Sequence, residues 1–290
     1  MKKIIILLIL LVSFTIILEC KKHEGKLTIG TFNIEWLGDG TNDNKPRNEE
    51  GYKAIAELIN EIEPDVLGLQ EIENQAALDK VLNYLKGYKG KVLTSGGEQN
   101  LGVIYHKDVK INSFSEYTQL AVEQKKTRSG IVLDCKKDNF DWKMMIVHLK
   151  SSSFFDKTKE KRESSLEIRG RQGNILNKWI DSVLKSSSEK DLIIVGDFND
   201  NPNNSNSKTL QAISNNKKVK FITENLTSCF NPKWKVIDNI LLSKSALKRC
   251  KIESLRMYNP KKIFSRNISK NISDHCPIVV DFETLEADND

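Results

Sequence analysis

The chain has 290 residues, 39% of them apolar and 29% charged, with a formal charge of +6. This length buries an ample core and fits one large domain or two small ones, but no Pro/Gly/Ser-rich linker divides it and no internal repeat appears. No membrane-spanning apolar run follows residue 20, and no Cys-x-x-Cys pair or Cys/His cluster suggests zinc.

At the amino terminus, Met1-Lys2-Lys3 precede a short, nearly all-apolar stretch from Ile4 to Leu18, the pattern of an export signal. Cys20 closes the segment, so we expect residues 1–19 to be a signal peptide and Cys20 to be the lipidated first residue of the exported chain. Glu19 stands where such a cleavage box usually has a small residue. Residues 20–26 form the lipidated cysteine and a short polar tether, residues 27–284 one folded domain, and residues 285–290 an acidic tail. The expected location is therefore outside the cytoplasm, membrane-anchored or secreted. Cys135, Cys229, Cys250 and Cys276 remain, allowing three pairings and one or two disulfides.

Periodicity then predicts alternating strands and helices. Leu27 to Asn33 reads as a strand, Glu49 to Glu61 as a helix stopped by Pro64, and Val66 to Gln70 as a buried strand. Asn74 to Leu85 is a second helix and Leu101 to Tyr105 a strand. Arg128 to Asp134 and Trp142 to His148 form a hairpin around Lys136 to Asp141, and a hydrophilic, mobile loop follows Lys150. A helix from Ser164 to Leu184 leads into the apolar run beginning at Asp191, and Val236 to Leu242, Ile252 to Tyr258 and Pro277 to Phe282 are later strands. Between Ser243 and Ser273, Lys244, Lys248, Arg249, Lys251, Arg256, Lys261, Lys262, Arg266 and Lys270 face only Glu253. We expect this basic run to flank a site for an anionic substrate.

Several apolar runs stop abruptly in polar residues. DLIIVGDFND ends in Asp197, Asn199 and Asp200, TIGTFNIEW in Asn33, DVLGLQEIE in Glu71, MMIVHLKS in His148, VIDNILLS begins near Asp238, and SDHCPIVVDF opens on Asp274-His275. A single such ending is an ordinary Asx turn. In series and in this order, they resemble the endonuclease/exonuclease/phosphatase superfamily, from about Leu27 to Phe282, with GDFN and SDH the most specific pieces.

The resemblance implies a four-layer α/β sandwich, two packed mixed β-sheets flanked by helices, with site loops at one end. It implies metal-dependent phosphodiester hydrolysis, with His148, Asp197, Asn199, Asp238 and His275 catalytic and Asn33, Glu71 and Asp274 at the metal. All-oxygen ligands suit Mg2+ or Mn2+, with Ca2+ as a structural ion. Asp238 would orient His275 and raise its pKa, and Asp197 and Asn199 would position water and a phosphoryl oxygen. His148 occupies the position of a second histidine in pancreatic-type deoxyribonucleases, whose partner carboxylate would fall near Glu98 or Gln99. Arg128 and Lys150 would bind substrate phosphate. Glu73 stands where those enzymes use a minor-groove arginine, which sets duplex reading of their kind apart from this chain.

The leading expectation is an exported nuclease acting on DNA or RNA, a monomer held at a membrane by its lipid. A sphingomyelinase or phospholipase C-type enzyme on the same scaffold is the alternative, with Phe154-Phe155 as its lipid-facing candidate. A catalytically silent binding protein is the third, and an inositol-phosphate phosphatase fits less well because its further motifs are absent.

Overall fold

Strands with one face toward a partner sheet and one toward helices form the frame of the fold. The computed structural model describes residues 25–152 and 156–288. The signal segment, Cys20, most of the tether, Phe154-Phe155 and the last two residues of the tail lie outside the described residues.

The strands are β1 (Lys26–Leu37), β2 (Val66–Ile72), β3 (Tyr88–Leu93), β4 (Asn100–His106), β5 (Lys110–Tyr117), β6 (Gly130–Lys137), β7 (Phe140–His148), β8 (Leu192–Asp197), β9 (Val219–Phe221), β10 (Asp238–Ser243), β11 (Cys250–Met257) and β12 (Ile278–Glu283). The helices are α1 (Glu49–Ile62), α2 (Gln75–Leu82), α3 (Lys159–Ser186) and the short α4 (Gln211–Ser214), α5 (Lys244–Arg249), α6 (Pro260–Ile263) and α7 (Arg266–Ser269). One six-stranded sheet runs β11-β12-β1-β2-β4-β3 and the other β5-β6-β7-β8-β10-β9. Only the β1/β2 and β7/β8 pairs are parallel, so both sheets are mixed.

Ile29, Val66 and Val280 of the first sheet pack on Ile146, Val195 and Ile240 of the second, making the central core. The outer face of the first sheet buries Ile55, Leu58 and Ile59 of α1 with Leu78 and Val81 of α2. The outer face of the second sheet buries Leu176, Trp179 and Ile180 of α3. Four layers result, as the resemblance implied.

Local chemistry sets the helix ends. Asn48 accepts from the Gly51 N–H at the start of α1, Glu49 and Glu50 occupy its positive first turn, and Glu63 ends it in the left-handed region at φ 49°. α3 begins five residues earlier than its apolar stripe predicts, because Thr158 caps it by accepting from Lys161 N–H. β1 runs on past Asn33 through Glu35 and Trp36, both with positive φ. β3 and β5 escaped the periodicity reading. They are half-exposed strands at sheet edges, with few apolar side chains to mark them.

Register places the functional ends together. His148 ends β7 opposite Asp197 at the end of parallel β8, and Asp238 opens antiparallel β10 opposite the same Asp197. The neighbouring Gly196 has φ 150°, and a Cβ there would fall 2.0 Å from the Val147 carbonyl oxygen. Gly196→Ala should therefore destabilise the protein by about 3 kcal/mol or more in denaturant unfolding. An unfolding curve unchanged from wild type would contradict this packing.

Candidate active site

Each sheet contributes half of the site. From the second come His148, Asp197 and Asp238, side by side on three adjacent strands. From the first come Asn33 and Glu71. The β2/β4 register shifts between Leu69 and Ile72, and Glu71 within that bulge sits at φ 64°. A bulge of this kind re-aims a side chain, and here the Glu71 carboxylate meets Asn33. Asn33 Nδ2 donates to Glu71 Oε1 at 3.1 Å and to Asp197 Oδ2 at 3.2 Å, so one amide joins the two sheets. The other Glu71 oxygen accepts from the Trp36 N–H.

The two histidines are held in opposite protonation states. His148 is buried, with Nε2 3.5 Å from Asp197 Oδ2 and 3.9 Å from Glu71 Oε1. Burial pulls its pKa well below 6.5, helped by the nearby Arg128, His275 and Lys150 charges, so the ring is neutral at neutral pH. His275 Nδ1 lies 2.7 Å from Asp238 Oδ2. Burial disfavours its charge, but the charge and hydrogen bond of Asp238, with Asp197 and Asp274, outweigh this and hold its pKa well above 6.5. His275 is therefore an imidazolium donating Nδ1–H to Asp238. Ser273 fixes the segment, since its hydroxyl donates to the Asn33 carbonyl and accepts from His275 N–H.

Asp197 is pushed up to about 7 by burial and by the charge of Asp238, against the opposing charge of His275. Its Oδ1 accepts from Asn199 N–H at 2.7 Å, so the Asx turn and the site are the same structure. Asn199, at φ 53°, uses its Nδ2 to bind the Leu149 carbonyl. A cleft of about 490 Å³ opens above Glu71 and His148, with Lys125, Lys126, Arg128, Lys150 and Lys161 around it. Arg128 Nη2 donates to Gln99 Oε1, and its Nε is buried without a partner. Lys150 is placed from α3: its N–H donates to Gln172 Oε1, and Arg169 Nη1 donates to its carbonyl.

Several expectations need correction. Gln99 serves Arg128 and Glu98 accepts from Asn44, so neither is the partner of His148, whose Nδ1 is buried and unpartnered. The basic run between Ser243 and Ser273 does not flank the site as a whole. β10 carries the chain away from Asp238, and Ser243 bonds the backbone at Lys190 and Leu192, at the far end of β8. Arg249 is buried at that far end beside Asp191. The cleft cations Lys125, Lys126 and Lys161 were missed, since they lie on a loop and a helix start without periodicity. Of the possible cysteine pairings, Cys229–Cys276 forms, and Cys135 and Cys250 are free. Asp274 is the most exposed site residue, at 67% of its side chain, with Oδ1 3.8 Å from His275 Nε2.

The donors fit a hard divalent cation. Glu71 Oε1 and Asp197 Oδ2 both face the Asn33 amide and lie 3.9 Å and 3.5 Å from His148 Nε2, and Asp197, Asp238 and His275 offer ligand atoms within 4.8 Å of one another. Glu71 and Asp197 are the residues that would hold such an ion, through carboxylate oxygen, while Asn33 turns its amide nitrogen to both and its Oδ1 accepts from the Glu35 N–H.

The Asp238–His275 pair makes a pH prediction. The folded pKa of His275 lies above its unfolded value, so the pair's stabilisation is complete below about 6.5 and is lost as pH rises through the folded value. Asp238→Asn should lower that value and move any alkaline fall in activity to lower pH. An alkaline limb that does not move would show that His275 does not control it.

No curated protein sequence matches the chain. The sequence profile described as Endonuclease/Exonuclease/phosphatase family matches residues 39–277. Among solved structures, truncated Caenorhabditis elegans TDP2 superposes with a TM-score of 0.64 at 18% identity, over 89% of this chain and 97% of that one. The human Nocturnin catalytic domain with bound sulfate gives 0.62 at 19%, over 90% and 94%. D. rerio TDP2 complexed with single-strand DNA product gives 0.65 at 16%, over 89% and 99%. At these identities the structures establish the likeness of fold alone.

Proposed function

Because the chain belongs to the endonuclease/exonuclease/phosphatase family, whose members are phosphodiester hydrolases, we propose that it is an exported, divalent-metal-dependent nuclease. The observation carrying this reading is the pairing of a neutral His148 with a protonated His275 around one set of carboxylates, under a basic cleft. Neutral His148 orients the attacking water together with Asp197. His275, with Nδ1–H engaged by Asp238, offers Nε2–H to a phosphoryl or departing oxygen. Arg128 and Lys150 neutralise the phosphate and fix it in the cleft. A divalent ion at Glu71 would supply Lewis-acid charge for the phosphoryl oxygens.

The cleft cations favour a polyanion over a lipid headgroup, and the D. rerio structure with a single-strand DNA product supports nucleic acid as the class. Export draws support from the amino-terminal pattern and from the disulfide, which persists in oxidising compartments. The lipid anchor at Cys20 is part of the same proposal.

An assay of single-stranded DNA, plasmid DNA, RNA and sphingomyelin, each with Mg2+ and with chelator, tests it. Nucleic-acid cleavage should require the metal, and His148→Ala and His275→Ala should each lose about 100- to 10,000-fold in turnover. Full activity in chelator, or cleavage of sphingomyelin alone, would overturn the reading. Cys20→Ala should move the protein from the detergent phase to the aqueous phase. Unchanged partitioning would remove Cys20 as the anchor.

A further inference from the structure

Asp238 and His275 reach each other from different sheets, Asp238 at the start of β10 and His275 ahead of β12. The Asp238 carboxylate has little else to orient it: Oδ2 meets His275 and Oδ1 is buried without a partner. The Asp238 backbone is held by the register of β10 on β8, and the approach to it comes from the segment that leads into the strand. That segment is a small hairpin, in which Thr227 bridges Lys235, Ser228 N–H donates to the Trp234 carbonyl and Val236 N–H to that of Leu226. The hairpin is joined to the rest of the molecule at its tip, where Cys229 is bonded to Cys276, the residue after His275.

We propose that the Cys229–Cys276 disulfide is a positioning element of the Asp238–His275 pair, and that turnover depends on its oxidised state. From Asp238 the chain runs back through the hairpin to Cys229, crosses to Cys276, and returns through His275 to the Asp238 carboxylate. The bond thus closes a covalent ring around the pair, broken only by the 2.7 Å hydrogen bond. Two further contacts steady the tip. Asn259 Nδ2 donates to the Cys229 carbonyl, and Lys261 Nζ lies 4.2 Å from the centre of the Phe230 ring. Each is a single polar contact near solvent, weak beside a covalent bond. Trp234, on the other leg, is 67% exposed and lends the tip little burial. Cutting the disulfide leaves β10 paired with β8 and Ser273 bonded to Asn33, but frees the hairpin ahead of Asp238 from the segment that carries His275. A misplacement of about 1 Å in a catalytic pair costs on the order of 100-fold.

The kinetic part of the test rests on the phosphodiesterase reading, and the spectroscopic part does not. The full chain, oxidised and in Mg2+, is treated with a water-soluble phosphine. The phosphine takes the oxygen of one water to become a phosphine oxide, and Cys229 and Cys276 take that water's two hydrogens as thiols. We expect kcat to fall about tenfold or more with KM changed less than about twofold, while the far-ultraviolet circular dichroism is retained. Cys229→Ser and Cys276→Ser should match the reduced wild type and ignore the phosphine. Re-oxidation with a small-molecule disulfide should restore the wild type. Cys250→Ser, which alters a free thiol, should keep the oxidised kcat and the full response. In nitrogen-15 spectra, the hydrogen-bonded Nδ1–H signal of His275 should weaken on reduction. That change in a protein that cleaves no phosphodiester would leave the tether standing and defeat the functional reading. A reduced enzyme with kcat within twofold of the oxidised one and an unchanged His275 signal would overturn the proposal. Loss of activity together with the dichroism would overturn it too, by showing a general stabilising role.

Discussion

Three carboxylates, Glu71, Asp197 and Asp238, crowd the end of the sandwich with one imidazolium among them. Burial makes that crowding costly, since charge removed from water must be paired or neutralised. The protein meets the cost by dividing the roles. His275 takes a proton and pairs with Asp238, Asp197 is pushed up to about 7, and His148 stays neutral. Glu71 and Asp197 still present carboxylate oxygens that an external cation can use. A site of this electrostatics is suited to a divalent ion and a phosphate, whose charges answer each other.

The two-sheet architecture is what lets these groups meet. Within the second sheet, strand register alone puts His148, Asp197 and Asp238 abreast. Bringing Asn33, Glu71 and His275 across from the first sheet takes special devices: the bulge at Glu71, the Asn33 amide spanning to Asp197, and the Ser273 hydroxyl. At the other end, Lys137 on β6 donates to Asp65, ahead of β2, in a buried ion pair that also ties the sheets. The sandwich is thus closed by polar links at both ends and by apolar packing between them.

Much of this was legible because buried strands are apolar on both faces, so a carboxylate, amide or imidazole at a strand end stands out. GDFN and SDH, Asn33, Glu71 and His148 could be found in this way, and so could the long helices, whose apolar stripes repeat at helical spacing. Edge strands β3 and β5 were not, because half-exposed strands carry a diluted pattern. The basic run after Ser243 lies away from the site because closeness in sequence to Asp238 is not closeness in space. The six residues of β10 span about 20 Å, enough to carry α5 to the opposite end. The cleft lysines and the disulfide partner depend on tertiary approach, which local sequence does not encode.

On the proposed function, Glu71 and its neighbours would hold a hard divalent cation at this end of the sandwich. Titration of the protein with Mn2+, followed by electron paramagnetic resonance of the free ion, addresses it without reference to any substrate. The account predicts saturable binding of Mn2+ that Mg2+ displaces and that Glu71→Gln weakens at least about tenfold, with the fold intact by circular dichroism. Equal binding by wild type and Glu71→Gln, or no saturable binding at all, would contradict it.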